Sequence, residues 1–541
     1  MKTYDYIIIG SGFGGSVSAM RLTEKGYSVL VIERGKRFND NDFPKTNWNL
    51  PKYLWVPKLR LHGFFEMTFM NGLLALHGSG VGGGSLTYAN VLMEPSDELF
   101  NTKGWKHLAD WKTLLAPHYK TARRMLGVTR NPKLWAADEH LREIAGELGY
   151  AESFHATDVG VFFGDPDKEG ETVPDPFFGG EGPDRAGCIH CGGCMVGCNH
   201  NAKNMLTKNY LYFAEKNGAE VMPETKVVDI QQITPLGTAA RASDDDARYI
   251  VEYQPATKFF KGNPTQIHAR NVIVAAGALG TMELLFKCRD ETQSLPKISR
   301  RLGDQVRTNS ENIMGVVARK TDVDYSQGIA ISSIFQADEV TRIEPVRYTE
   351  GASFIRSLTA PLIEGDHPIW LNFVKMAGKI LRHPIDYFYE KIFANWARAT
   401  TILLVMQTED NLTHVRRGRN IFTLFLRGLV LKPDADYPIP KQILVGNKVV
   451  KRFAEKMNGI PQTSFNDSLF NFPTTAHFMG GVPIGSDDSE GVVGLDFGVH
   501  HYPHLYVIDG SIMPGNPGVN PSLSITALAE YGMSLVEKKN E

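Results

Sequence analysis

The chain has 541 residues, 42 % apolar and 22 % charged, with a formal net charge of −2. This balance gives ample core and excludes a disordered or collagen-like chain, and it lacks the basic excess expected of a nucleic-acid-binding protein. At roughly 150 residues per domain, the length allows two to four domains. The N-terminus carries no leader pattern, and no apolar run reaches the roughly 18 residues of a spanning helix. The expectation is therefore a cytoplasmic protein, with peripheral contact at the inner face of the membrane left open.

Tyr6-Ile7-Ile8-Ile9 predicts a strand buried on both faces. Gly10-Ser11-Gly12-Phe13-Gly14-Gly15 follows, then a helix from Ser16 to Lys25 and a second strand, Ser28 to Ile32, ending on Glu33. Strand, glycine turn, helix, strand and acid form the dinucleotide-binding fingerprint in its required context. Gly10 serves the turn, Gly12 lets backbone approach a pyrophosphate, and Gly15 lets the helix pack close to the sheet. Free N–H groups at the helix N-terminus suit phosphate. Glu33 suits ribose hydroxyls and disfavours a 2′-phosphate.

A second glycine cluster runs from Gly78 to Ser85. A flavin ring needs close backbone approach on one side, so this cluster favours FAD over NAD and makes Gly80, Val81, Gly82, Gly83 and Ser85 cofactor candidates. Val227, in a strand Glu224 to Val228, is expected to present backbone to the adenine. Asn271 to Gly280 is another strand running into a glycine turn. His504 to Ser511 reads as a last strand ending at Asp509 and Gly510, near the pyrophosphate or ribityl chain, with a helix from Ser524 to Glu537. The nucleotide domain is thus expected in three pieces, 1–94, 186–310 and 471–541, with 95–185 and 311–470 forming a substrate-binding cap.

Four segments, Gly10–Glu33, Gly78–Asn90, Val272–Leu285 and His477 through Pro521, together resemble the glucose-methanol-choline (GMC) oxidoreductases. GVGGGSL at 80–86 and the closing stretch Asp509 to Pro521 look most like its bacterial cholesterol-oxidase-like branch. The resemblance implies an α/β fold: an interrupted Rossmann-like FAD-binding domain, and a substrate domain of mostly antiparallel β-sheet plus helices. It implies FAD and oxidation of a hydroxyl group. Carried over by motif, His477 is the active-site histidine and Asn520 its partner, which orients the alcohol oxygen or touches the flavin edge. A neutral imidazole can take the hydroxyl proton while the carbon gives up hydride. Many relatives place an asparagine near the flavin where this chain has Tyr88, with Asn90 two residues on. Sterol oxidases of this type also use a glutamate on the substrate sheet, for which Glu344 is the candidate. His77 stands where some relatives bind FAD covalently; noncovalent FAD is the expectation here.

Cys188, Cys191, Cys194 and Cys198 have the C-x2-C-x2-C-x3-C spacing of a ferredoxin run without its trailing proline. An iron–sulfur cluster, a structural zinc site and a metal-free packing loop are all compatible with it. The fifth cysteine, Cys288, reads as inert core. Residues 367–398 combine Trp and Phe with Lys and Arg at helical spacing, the style of a helix lying in a membrane interface. With Phe64, Phe65, Phe69 and Met70 they point to a lipophilic substrate, sterol-like or long-chain. Two rivals accompany this reading. One is a dehydrogenase passing electrons to a quinone or protein through a Cys188–Cys198 iron–sulfur cluster. The other is a flavin-bound, membrane-associated lipid-binding module without turnover.

Overall fold

The computed structural model describes residues 2–233, 246–258, 262–320 and 322–539. The apolar run at the N-terminus forms the strand Thr3–Ile9. It pairs in parallel with Val29–Ile32 on one side and Thr265–Val274 on the other. Ile7 and Ile8 are fully buried, as a strand covered on both faces requires. Glu220–Met222 and Leu505–Val507 extend the parallel part. The N-terminal half of Thr265–Val274 instead pairs antiparallel with Tyr249–Pro255, which pairs with Thr225–Gln232. One long strand thus serves both a Rossmann-like parallel sheet and an antiparallel meander.

Helix α1 (Phe13–Glu24) starts directly after Gly12, three residues earlier than the sequence pattern suggests. Gly10 has φ of +102°, and a Cβ on it would sit 2.2 Å from the Ala275 carbonyl oxygen. A side chain at position 10 would therefore separate the two central strands at their C-terminal ends, where nucleotides bind in this class of sheet. The last helix is Ser522–Ser534, opening immediately after Pro521.

The second layer is a seven-stranded sheet in the order Thr359–Pro361, Gly459–Ser464, Asn312–Ala318, Thr400–Gln407, Thr341–Val346, Ser333–Gln336, His155–Ala156. Every pairing in it is antiparallel, as the resemblance implied. Side chains alternate between faces with the two-residue period of a strand. Met314, Val316, Leu403 and Val405 pack under the helices Ala136–Glu147 and Leu444–Lys456. Val317, Ile402 and Leu404 lie on the opposite face, toward the nucleotide layer. Helix Trp111–Met125 packs on the C-terminal helix, with Tyr119 Oη donating to Ser524 Oγ at 2.8 Å. The hairpin Thr413–Gly418 and Gly428–Pro433 contributes Val415 and Leu431 to the core of the nucleotide layer. Stretches within 95–185 and 311–470 therefore pack on both layers. Among the described residues, no helix is long and apolar enough to cross a membrane.

Candidate active site

Two adjoining cavities run along the C-terminal ends of the parallel strands. The smaller, about 270 Å³, is lined by Gly10, Gly12, Glu33, Val227 and Ala275. The larger, about 600 Å³, is lined by Asp509, Gly510, His477 and Asn520 together with the antiparallel sheet. Gly12, Arg34, Gly78, Gly84 and the turn 275–277 border both, so an extended ligand can pass from one to the other. At Gly12 a Cβ would meet nothing within 4 Å; the fingerprint glycine faces open space, as backbone approaching a pyrophosphate must. Glu33 accepts from Ser11 N at 3.1 Å, Ser11 Oγ at 2.8 Å and Gly35 N at 2.8 Å, fixing the acid at the rim where a ribose would lie. These features fit FAD: Glu33 and Val227 line the smaller cavity, and His477 lines the larger.

The second glycine loop is seated on the first. Gly82 N donates to Ser11 Oγ at 3.1 Å, and a Cβ on Gly83 would lie 2.6 Å from Gly12 Cα. Gly83 borders the smaller cavity, but Gly80, Val81, Gly82 and Ser85 border neither. They brace the loop: Val81 is fully buried, and Ser85 Oγ donates to Gly82 O and accepts from Leu206 N. Gly15 likewise packs on Gly10 O, where a Cβ would come within 2.1 Å. Asn90 is buried with both amide atoms unpartnered. It stands beside Cys194 rather than in the cavity wall.

His477 follows Thr474–Thr475, a short strand held parallel to Leu73–Gly78. Its Nδ1 is 2.9 Å from Oε2 of Glu311, a carboxylate that sequence reasoning missed. Glu311 is buried and also accepts from Ala476 N at 3.1 Å, with Thr475 Oγ1 at 3.0 Å. Arg307 and Met479 exchange backbone hydrogen bonds of 2.8 and 2.9 Å, which ties the segment carrying Glu311 to the one carrying His477. Asn309 and Ser310 just before it take φ of +59° and +43°, an uncommon conformation for non-glycine residues. A run of polar residues, Thr308 to Asn312, placed directly ahead of an apolar strand is the only signal the sequence offered. On the other side of the ring, Asn520 Nδ2 donates to His477 Nε2 at 3.3 Å. Asn520 Oδ1 is buried without a partner and is free for a ligand.

Glu344 lies beside Asn520 on the central part of the antiparallel sheet, outside the cavity lining, and neither carboxyl oxygen has a hydrogen-bond partner. Burial first, then the Glu311 charge, pushes its carboxyl up to about 8; Asn520 and Arg342 pull the other way. Tyr88 borders the cavity, with its hydroxyl donating to Asn204 O at 2.8 Å. His77 borders it too, and burial holds its imidazole down at about 4. Its Nε2 is 2.8 Å from Thr68 Oγ1 and its Nδ1 3.6 Å from Glu66.

Among the described residues, no three His, Cys, Asp or Glu side chains are grouped as metal ligands would be. Cys188, Cys191, Cys194 and Cys198 are free cysteines, and no observation supports an iron–sulfur cluster or a zinc site there. Burial pushes the Cys188 thiol up and the Cys191 thiol up to about 11. The loop packs as an apolar cluster with Val159, Ala202 and Ile329. Lys203 joins it to the flavin loop: its Nζ donates to Cys194 O at 2.8 Å and Leu86 O at 2.9 Å, 4.8 Å from the centre of the Tyr88 ring. Cys288 is core, with Sγ 3.3 Å from Asp229.

Family models for the GMC oxidoreductases match residues 182–306 and 434–529, and one for an NAD(P)-binding Rossmann-like domain matches 8–39. A cholesterol oxidase of Acinetobacter baumannii is 45 % identical over 99 % of this chain and 95 % of its own length. One from Mycobacterium tuberculosis is 43 % identical over 99 % and 92 %. A long-chain-alcohol oxidase of Arabidopsis thaliana is 21 % identical over 97 % of this chain and 66 % of its own. The crystal structure of pyridoxine 4-oxidase from Mesorbium loti superimposes with a TM-score of 0.59 at 14 % identity, covering 98 % of both chains; it supports the fold. The chain belongs to the GMC oxidoreductase family and is an FAD-dependent oxidoreductase acting on CH–OH groups.

Proposed function

We propose that the protein oxidises the hydroxyl group of a lipophilic alcohol, sterol-like or long-chain, to a ketone or aldehyde. The observation that carries this is the His477–Asn520 pair set in a cavity of about 600 Å³ whose further walls include Phe65, Leu74, Leu76, Ile313, Val317, Ile402 and Leu404. These walls are apolar, as a lipophilic ligand beside the flavin requires. The relatives named for cholesterol and long-chain alcohols support the same substrate class.

FAD, when bound, supplies the hydride acceptor. Glu311 facing Nδ1 selects the tautomer that carries its proton there, which leaves the Nε2 lone pair toward the cavity. An alcohol oxygen placed between Nε2 and Asn520 Nδ2 accepts from the amide and gives its proton to Nε2 as hydride leaves the carbon. The imidazolium so formed is stabilised by Glu311. The apolar walls keep water from the same position. Glu344, neutral up to about 8, keeps a second negative charge out of the site and acts through Asn520. Noncovalent FAD is favoured by His77, whose two ring nitrogens face Thr68 and Glu66.

Anaerobic mixing with sterols and long-chain alcohols tests the proposal. The flavin bands should bleach with stoichiometric ketone or aldehyde. If dithionite bleaches them and no such alcohol does, the substrate reading fails, and a lipid-binding module without turnover takes its place. Admitting air afterwards separates an oxidase, whose bands return with peroxide, from a dehydrogenase that needs a quinone or protein acceptor.

A further inference from the structure

The larger cavity follows the antiparallel sheet away from His477. Glu311, whose carboxylate holds that histidine, leads directly into the strand Asn312–Ala318. By the two-residue period of a strand, Glu311, Ile313, Gly315 and Val317 share one face, and all four line the cavity. Gly315 is paired on one side with Ile402 and on the other with Gln462, while Val317 is paired with Thr400. The level of Gln462 is thus about 13 Å along the strand from Glu311, and that of Thr400 about 20 Å.

This far stretch of an otherwise apolar wall is polar. Gln462, Thr400 and Trp396 line it, the last from the short helix Trp396–Ala399 that leads into the strand Thr400–Gln407. They are only 3, 5 and 2 % exposed. Yet Gln462 Oε1, Thr400 Oγ1 and Trp396 Nε1 have no hydrogen-bond partner. Other polar side chains bordering the cavity are satisfied within the protein. Thr359 Oγ1 donates to Arg356 O at 2.9 Å, Thr463 Oγ1 to Asp467 Oδ2 at 2.9 Å, and Asn466 Nδ2 to Thr474 Oγ1 at 3.0 Å. Buried polar groups are nearly always paired, so orphans gathered along one cavity await a ligand. Gly315 is a second sign, because a glycine inside a strand marks close approach by another group. It leaves the wall beside Gln462 without a side chain. Among the described residues, no sheet residue lining the cavity beyond Glu311 is charged.

We propose that Gln462, Thr400 and Trp396 form a distal subsite for a second, uncharged oxygen function of the substrate, a hydroxyl or keto group remote from the carbon that is oxidised. The Gln462 amide both donates and accepts, as does the Thr400 hydroxyl, and the indole N–H donates. A hydroxyl or keto oxygen matches this set, whereas a carboxylate would be buried with no cation to meet it. The preferred substrate is then a bifunctional lipophilic alcohol, apolar in its middle and polar at both ends. This deepens the substrate class proposed above and rests on it.

Anaerobic flavin bleaching by matched alcohols tests the proposal. One series is a steroid alcohol with a bare D ring and its counterparts carrying a hydroxyl, keto or carboxylate there; the other is a long-chain alkan-1-ol and the α,ω-diol of the same chain. In at least one series the hydroxyl or keto member should exceed the bare alcohol about tenfold or more in kcat/KM. The gain should lie in KM, as binding shared by ground and transition state requires, and the carboxylate should show none. Gln462→Leu and Thr400→Val nearly keep the side-chain volume and should each remove most of the preference. The oxygen-bearing alcohol should lose about tenfold, and the bare alcohol should bind more tightly because a buried unmatched group has gone. The same discrimination should appear without turnover, as dissociation constants read from the shift of the oxidised flavin bands on titration with the matching steroid ketones. A wild type indifferent to the distal group, a preference for the carboxylate, or variants that retain the preference overturns the proposal. If no alcohol bleaches the flavin, the alcohol reading fails while the ketone titration still reads the subsite, so the two failures are distinguishable.

Discussion

Glu311 and Asn520 approach His477 from opposite sides of its ring, at 2.9 and 3.3 Å, and that arrangement decides where a hydroxyl proton goes. His477→Ala removes the acceptor, so the anaerobic rate of flavin bleaching should fall by about 10²–10⁴, with the flavin absorbance of the purified protein unchanged. Glu311→Gln keeps the shape but no longer favours a proton on Nδ1 or balances an imidazolium. We expect a loss of about tenfold to a hundredfold and a displaced pH profile, with Glu311→Asp recovering part of the rate; a merely structural role would leave the profile in place. Glu344 supplies a stability prediction whose sign follows from its raised carboxyl. The folded state holds a proton that the unfolded chain releases near the ordinary 4.5, so the native state loses stability as pH rises from about 4.5 through about 8. Glu344→Gln carries no such penalty. Its stability advantage over the wild type should build from about pH 4.5 and level off above about pH 8, at on the order of 3 kcal/mol, read as a higher thermal midpoint. Equal midpoints across that range would mean the carboxyl is solvated. Of these residues, His477 and Asn520 were legible because each sits in a local motif. Glu311 was not, since its role exists only once the Arg307–Met479 pairing brings two distant segments together.

The nucleotide site is built from two glycine loops in contact, and the contact matters more than either loop. A side chain at Gly83 meets Gly12 Cα at 2.6 Å with φ at +52°. Gly83→Val should therefore force the loops apart, cost about 1–3 kcal/mol in strain alone, and yield protein with little bound flavin, read as the ratio of 450 nm to protein absorbance. Gly146 is the control: near the end of the helix Ala136–Glu147, its Cβ position is open space at ordinary φ. Gly146→Ala should retain flavin and raise stability by about 0.5–1 kcal/mol. Strand–glycine–helix units were readable in the sequence because they are local and because each residue type has one geometric use there. Which glycine faces the cofactor and which faces backbone was not readable; Gly12 and Gly83 border a cavity, whereas Gly80 and Gly82 serve the loop itself. The packing of the helix Trp111–Met125 escaped for a similar reason. Its apolar face is plain, but nothing in 95–185 says that the partner is the C-terminal helix rather than the substrate sheet.

The larger cavity lies between two layers that share few strands, with Gly12, Ala275 and Asp509 on one wall and Ile313, Ile402 and Leu404 on the other. The chain passes between these layers several times, and the apolar face of the antiparallel sheet that carries Val317 and Leu404 is turned toward the nucleotide layer. A ligand that fills this space acts as part of the core and binds only when both walls are in place. Its binding free energy therefore adds to folding, by about 4 kcal/mol when free FAD is a thousandfold above its dissociation constant. Calorimetry of holo and deflavinated protein checks this directly. The holoprotein should unfold in one transition. Removal of FAD should lower the midpoint and separate a transition belonging to the antiparallel sheet from one belonging to the parallel sheet, because the interface that couples them has lost its filling. Added FAD should restore the single transition, while NAD, which the flavin-sized space under His477 does not match, should leave the two apart. If deflavination leaves one transition at the same temperature, the layers are held together by protein contacts such as the hairpin Thr413–Pro433 and the helix Trp111–Met125, and the cofactor contributes binding without cohesion.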